Sequence, residues 1–359
     1  MCGGNEGTMD IPQLGPWRVR KTAQANDNDF TRDAQIQEAQ AQVDELIDYV
    51  NEQIELLAFD DADNFDAANT ARLNLLIEKL IESLADPRRD RRVGLVDALG
   101  QIGETAVPFL LAALESHDES VVRRTCCQAL SSVGDEAAVA GLVSTLVNDQ
   151  DISVKSSAAG ALAKIGAPAF DALRETLAAE DVSESSKGYA AWAIASMSQE
   201  VSERLYDCAN DVSSVVRTAV IGAIAQLAQK QSTQQPATPS DSSTVKRAHA
   251  LLVHALNDSS SDVRIEAIAH LARLNYQQAR SQLIDCLQDD CWEVRKAAIF
   301  ALGKLANSPL PTSIDGAFSG EEISKAIAPI KAIAPLKQDP VEAVRRAAAL
   351  VANQLEAHS

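Results

Sequence analysis

The chain has 359 residues and a formal charge of −19, from 51 acidic against 32 basic residues, which speaks against the phosphate backbone of a nucleic acid as its partner. Apolar residues make up 46%, supplied mostly by Ala, Leu and Val as suits closely packed helices, and aromatics only 4%, so an aromatic off a core stripe stands out. No run of 18 apolar residues occurs, so no membrane-spanning segment is expected.

Residues 1–31 are rich in Gly, Asn, Asp and Gln and read as a disordered tail, with Trp17 beside Arg18, Arg20 and Lys21 as its apolar anchor. Nothing apolar precedes Cys2, so neither a secretory nor a lipoprotein signal is expected and a cytoplasmic location is. Residues 32–68 read as an N-terminal capping helix and loop: Ile36, Val43, Leu46, Ile47, Val50 and Ile54 fall on one face, and Asn69 or Thr70 opens the next helix.

From there one unit returns along the chain. In Glu119–Gly134, Val122, Cys126, Ala129, Leu130 and Val133 form one apolar stripe at a 3.6-residue period. A basic anchor follows the first valine, and equivalent anchors are Arg92, Arg123, Lys155, Lys187, Arg217, Arg264, Arg295 and Arg345, spaced by 31, 32, 32, 30, 47, 31 and 50. Six residues before each stands an acid (Asp86, Asp149, Asp181, Asp211, Asp258, Asp289, Asp339), except that Arg123 has His117 there, next to Asp118; this is a turn and N-cap signal. A second amphipathic run precedes each acid, as in Ile77, Leu80, Ile81 and Leu84. Two helices at a period near 31 predict an all-α, HEAT-like α-solenoid of about eight two-helix repeats in one elongated body, because a single helix pair cannot cover its own apolar face.

The expected division is repeats 1–5 in 69–228, a Gln/Ser/Pro-rich disordered insertion in 229–245, repeats 6–7 in 246–306, a loop insertion in 307–322 and a C-terminal repeat in 323–359. Pro329 and Pro335 require the first helix of that last repeat to be kinked or short.

The segments LVDALGQIGETAVPFLLAAL, VVRRTCCQALSSVGDEAAVAGLVSTL and EVRKAAIFALGKL resemble the repeats of the phycobilisome-lyase group, found in the E/F-type phycobilin lyases and in a related phycobilisome-degradation factor. The resemblance covers about Leu73 to Leu355, and KGYAAWAIASM is similar to a segment of the E-type subunits. It implies a phycobilin lyase or bilin chaperone with phycobiliprotein subunits or another lyase subunit as partners, no tightly bound cofactor and a transient phycobilin as ligand. The repeat alone serves equally well as a scaffold or adaptor, including one for phycobilisome assembly or degradation.

Many enzyme signatures are missing: there is no Gly-rich phosphate loop, no G-x-S-x-G and no C-x-x-C. None of His117, His249, His254, His270 and His358 precedes a Glu, which a helical-repeat iron hydroxylase would need, and His249 and His254 are five apart rather than four, so no metal site is expected. The lyase-isomerase branch of the resembling family carries a His-Cys motif, absent here, so isomerisation is not implied. Six cysteines (Cys2, Cys126, Cys127, Cys208, Cys286, Cys291) do not make a disulfide framework. Cys126 and Cys208 read as packing residues, and Cys291, in the turn DDCWEVRK, is the candidate thiol for holding a bilin.

The candidate binding surface is a groove along the second helices, whose outward offsets +1, +5 and +8 from the anchor give Ser156, Gly160 and Ala163; Gly188, Trp192 and Ala195; Thr218, Gly222 and Ala225; and Lys296, Phe300 and Gly303. Small residues around Trp192 and Phe300 leave an aromatic-floored groove suited to a flat tetrapyrrole, with Lys187, Arg217, Arg264 and Arg295 as cations for its two propionates and Tyr189 and Trp292 nearby. The anchors also have a structural reading, in which each pairs with a repeated Asp and ties one repeat to the next.

Overall fold

A computed structural model describes residues 47–48, 67–234, 243–306 and 331–357. Among these residues there are fifteen α-helices and no strand, the all-α HEAT solenoid expected. The tail, all but two residues of the capping helix, and the loop insertion at 307–322 lie outside the described residues.

The chain divides into two compact units, Met1–Ala172 and Leu173–Ser359. In the first, α1 (Ala67–Ser83) precedes α2 (Arg89–Ile102), α3 (Val107–Ser116) precedes α4 (Ser120–Val133), and α5 (Val139–Asn148) precedes α6 (Ile152–Ile165). The boundary falls inside α7 (Phe170–Ala178). In the second unit follow α8 (Glu184–Ser196), α9 (Ser202–Asp207), α10 (Ser214–Gln234), α11 (Ser243–Ala255), α12 (Ser261–Arg273), α13 (Arg280–Asp285), α14 (Trp292–Ala306) and α15 (Glu342–Ala357).

Second helices stack on second helices: α2, α4 and α6 in the first unit, and α8, α10, α12, α14 and α15 in the second. The stripe read from sequence is what they bury, since Val122, Cys126, Ala129 and Leu130 of α4 are fully enclosed. Cys127 and Thr125 are enclosed too, because a second helix has its own first helix on one side and neighbouring second helices on others. Residues 89–116 are the one described stretch long and apolar enough to cross a membrane; the 3-10 turn Gly103–Ala106 breaks it into α2 and α3, and Leu95, Leu99, Leu110 and Leu114 sit in the core.

The arginine anchors form a ladder between repeats. Arg123 forks the Asp149 carboxylate at 2.8 and 3.0 Å, Arg217 forks Asp258 at 2.8 and 2.7 Å, Arg264 forks Asp289 at 2.8 and 2.8 Å, and Arg295 forks Asp339 at 2.9 and 3.0 Å. In each case the remaining guanidinium nitrogen donates to carbonyls of its own turn, as Arg264 Nη1 does to Asp258 O at 2.8 Å and Ser259 O at 3.3 Å. Each aspartate also accepts the amide two residues on, such as Ser260 N to Asp258 Oδ1 at 2.8 Å. The acid therefore stands two residues ahead of the N-cap Ser260 and braces the turn rather than capping the helix itself. His117, the one exception in sequence, does the same bracing through Nδ1, which accepts the Glu119 amide at 3.1 Å.

Helix ends follow the residue eleven after the anchor. Gly103, Gly134 and Gly166 have φ of 74, 74 and 81°, where a Cβ is disfavoured, and the last two close helices through bonds to Leu130 O and Leu162 O. After Arg264 the same place is held by Asn275 at φ 53°, the next best residue for that conformation. After Arg217 it is Ala228, which stops nothing, and α10 runs on to Gln234. Gln229 to Gln234, expected to begin the disordered insertion, are thus helical: glutamine and lysine are good helix formers and continue a helix that no glycine ends. At the other side α11 begins at Ser243, inside the same expected insertion, and α1 begins at Ala67, ahead of Asn69. Pro335 lies in the first turn of the 3-10 helix Ala334–Gln338, and Pro329 lies outside the described residues.

Two tests address the ladder. Arg264→Ala strands the largely buried Asp289 and should lower stability by about 2–3 kcal/mol in urea titration, with Arg264→Lys in between because a point charge cannot fork a carboxylate. The Arg217 hydrogen bond holds the Asp258 carboxyl below the usual range, and Arg295 does the same for Asp339. This stability is therefore fully present above the unfolded carboxylate value, about pH 4, and is lost as pH falls through the depressed native values. Urea midpoints should fall steeply below about pH 4 in the wild type and less steeply in Asp258→Asn.

Candidate functional site

Within the second unit α8, α10 and α12 lie in sequence and enclose a groove of about 640 Å³. From α8 it takes Lys187, Gly188, Ala191, Trp192 and Ala195, at anchor offsets 0, +1, +4, +5 and +8. The floor is α10, where Thr218, Ala219, Gly222 and Ala223 keep the surface low. The far wall is α12, which presents a different side: Asp262, Glu266, His270 and Arg273, at offsets −2, +2, +6 and +9 from Arg264.

Trp192 is the large apolar group of the near wall and is 52% exposed. A Cβ built on Gly188 would meet nothing within 4 Å, so the space beside the indole is open. On the floor, a Cβ on Gly222 would stand 3.6 Å from His270 Nε2 and 3.7 Å from Glu266 Oε1, so the absent side chain leaves those two groups uncovered from that direction.

His270, only 7% exposed, shares a 2.7 Å hydrogen bond between its Nε2 and Glu266 Oε1, one helical turn away. That bond, helped by the nearby charge of Arg273, holds the Glu266 carboxyl below its usual range against the opposing effect of burial.

Lys187 differs from the arginine anchors. The aspartate of the following repeat, Asp211, is taken by Arg174, whose Nη1 stands 3.2 Å from Oδ2. Lys187 instead has its Nζ 3.6 Å from the exposed Glu184 Oε1, and both residues line the groove.

Of the residues singled out from sequence, the groove brings together Lys187, Gly188, Trp192, Ala195, Thr218 and Gly222. Tyr189 is half-buried on α8 and does not line it. Arg217, Arg264 and Arg295 are committed to the ladder. Trp292 packs against the core of the second unit with Lys296 Nζ 5.8 Å from its ring centre, and Phe300, 42% exposed, stands on α14 outside the groove. Two positions expected to face outward are enclosed: Ala225, and Gly303, whose missing Cβ would fall 2.6 Å from Val351 Cγ1 and so permits close packing of α14 on α15. Glu266, His270 and Arg273 were not singled out, though the i, i+4 spacing of Glu266 and His270 is visible in the chain.

Among the thiols, burial pushes Cys126 up to about 12 and Cys286 up to about 11, and raises Cys127 too, so these three stay protonated and unreactive. Cys291 is half-buried against the core, its Sγ 2.9 Å from Glu293 Oε2.

HEAT repeats are matched at residues 77–163 and 249–316. The bilin biosynthesis protein MpeU of Synechococcus sp. (strain WH8020) is 32% identical over 230 residues, which span 64% of this chain and 73% of that protein. Among solved structures, the complex of CpcE and CpcF of phycocyanin lyase from Nostoc sp. PCC7120 aligns with a TM-score of 0.27 and 21% identity over 55% of this chain and 98% of that one. Human deoxyhypusine hydroxylase in complex with glycerol aligns with a TM-score of 0.31 and 18% identity over 80% and 99%.

The two glycines give a test of which positions face the groove. Gly188→Ala fills open space in a helix and should raise the melting free energy by about 0.5–1 kcal/mol. Gly303→Ala drives a methyl group into Val351 and should lower it by about 1–3 kcal/mol, both read by thermal denaturation.

Proposed function

The chain belongs to the phycobilisome-lyase-type family of HEAT-repeat proteins, and from that premise we propose that it binds a phycobilin in the α8–α10–α12 groove and presents it to a phycobiliprotein subunit, as a bilin lyase or chaperone. The observation that carries this reading is the half-exposed Trp192 above a floor of small residues, with Lys187 beside it and Arg273 on the opposite wall. A flat, apolar tetrapyrrole with two propionates matches that arrangement: the indole offers a stacking face and the two cations take the carboxylates.

The role of the protein in transfer is then mainly positional. The bilin lies extended in the groove, its ethylidene carbon turned toward the cysteine thiol of the acceptor, and the chain itself holds the ligand without a covalent bond. Fixing two reactants in this way removes up to roughly 7–11 kcal/mol from a barrier in favourable cases. The partner is a phycobiliprotein α or β subunit, with or without a second lyase subunit.

Purified protein incubated with phycocyanobilin should retain visible absorbance through gel filtration, and Trp192→Ala should weaken uptake at least tenfold, about 1.4 kcal/mol. Addition of an apo-phycobiliprotein subunit should then give a covalent adduct faster than free bilin does. Capture of that subunit without any uptake of bilin would replace this reading with a protein scaffold.

A further inference from the structure

The groove carries charges of both signs, and two cations, Lys187 and Arg273, answer the two propionates of the ligand proposed above. The acids remain to be explained. Glu184 is already beside Lys187 and Asp262 is exposed, but Glu266 is tucked into the far wall with His270 as its hydrogen-bond partner. Gly222 is the residue opposite, and its missing side chain leaves the carboxylate, 38% exposed, open to a ligand on the floor.

A linear tetrapyrrole carries N–H groups along its inner edge and one imine-type nitrogen. Protonation of that nitrogen gives a delocalised cation with a donor at every ring, whereas the neutral form turns a lone pair toward any carboxylate that approaches. An ionised carboxylate therefore discriminates between the two forms by both charge and hydrogen bonding. We infer that Glu266, oriented by His270 and uncovered by Gly222, receives the N–H edge of the tetrapyrrole and selects its protonated, cationic form. This inference rests on the bilin reading of the groove and adds to it the charge state of the ligand.

The surrounding charges are compatible with this. Facing the site, α8 contributes Glu184 and Lys187, and α12 itself contributes Asp262 and Arg273. The lining residues of α10 are uncharged, and α11 and α14, which also pack on α12, contribute none to the groove. Depression of the Glu266 carboxyl keeps it an acceptor throughout the neutral range.

The test uses the full chain with phycocyanobilin and follows the visible spectrum of the bound ligand between about pH 6 and 9, in the wild type, Glu266→Gln and His270→Gln. Both substitutions keep a polar side chain of similar size, and circular dichroism checks the fold. The wild type should hold the long-wavelength protonated band to higher pH than free bilin shows. Glu266→Gln should bind bilin up to about tenfold more weakly at the acidic end, where the protonated form is the one bound, and its protonation midpoint should fall by about one unit, a tenfold change in the protonated-to-neutral ratio. His270→Gln should give a smaller fall in the same direction. Unchanged midpoints in both variants, with uptake still lost in Trp192→Ala, would overturn the assignment of Glu266 alone. No uptake by the wild type would overturn both it and the proposed function.

Discussion

The structure depends on one repeated interaction, the guanidinium that forks the aspartate of the next repeat and at the same time closes its own turn. Arg123, Arg217, Arg264 and Arg295 all make it, with no side chain of these four pairs more than 16% exposed. A largely buried pair of this kind is sustained by its hydrogen bonds rather than by net charge attraction, and here the donors and acceptors are well matched. Apolar stripes bring the helices together, and the ladder fixes the register in which they stack.

The same constraint decides what is left for function. An arginine consumed by the ladder is not a cation for a ligand, which removes three of the four bases that sequence reasoning placed at the groove. Where the anchor is Lys187, the aspartate of the next repeat is claimed from a different helix by Arg174. That repeat also holds Trp192 at its surface, and it borders the groove. One departure from the regular pattern thus borders the candidate site, while the other lysine anchor, Lys155, bonds Val147 O and does not line it.

Much of the fold was legible because it rests on local periodicity. Stripes such as Ile77, Leu80, Ile81 and Leu84 are buried as their spacing requires, and the acid six before each anchor marks the turn it braces. The overrun of α10 was also written in the chain, in Ala228 where other repeats have glycine, but the Gln-rich composition that follows suggested a loop. The site was less legible for a geometric reason. One set of outward offsets was applied to every second helix, yet walls on opposite sides of a groove present opposite sides of their helices. Trp192 on α8 obeys those offsets; Glu266 and His270 on α12 do not. Gly303 misled for a related reason, since a small residue makes either an open floor or a close helix contact, and only Val351 against it tells which.

The claim that a tetrapyrrole lies against Trp192 is most directly measured by fluorescence. The chain has three tryptophans, Trp17, Trp192 and Trp292, so a Trp17→Phe, Trp292→Phe variant reports on Trp192 alone. Titration with phycocyanobilin should quench that emission saturably, with one ligand per chain at the end point. Emission that stays constant while bilin binds, or quenching confined to a variant retaining only Trp292, would place the ligand elsewhere and contradict the account.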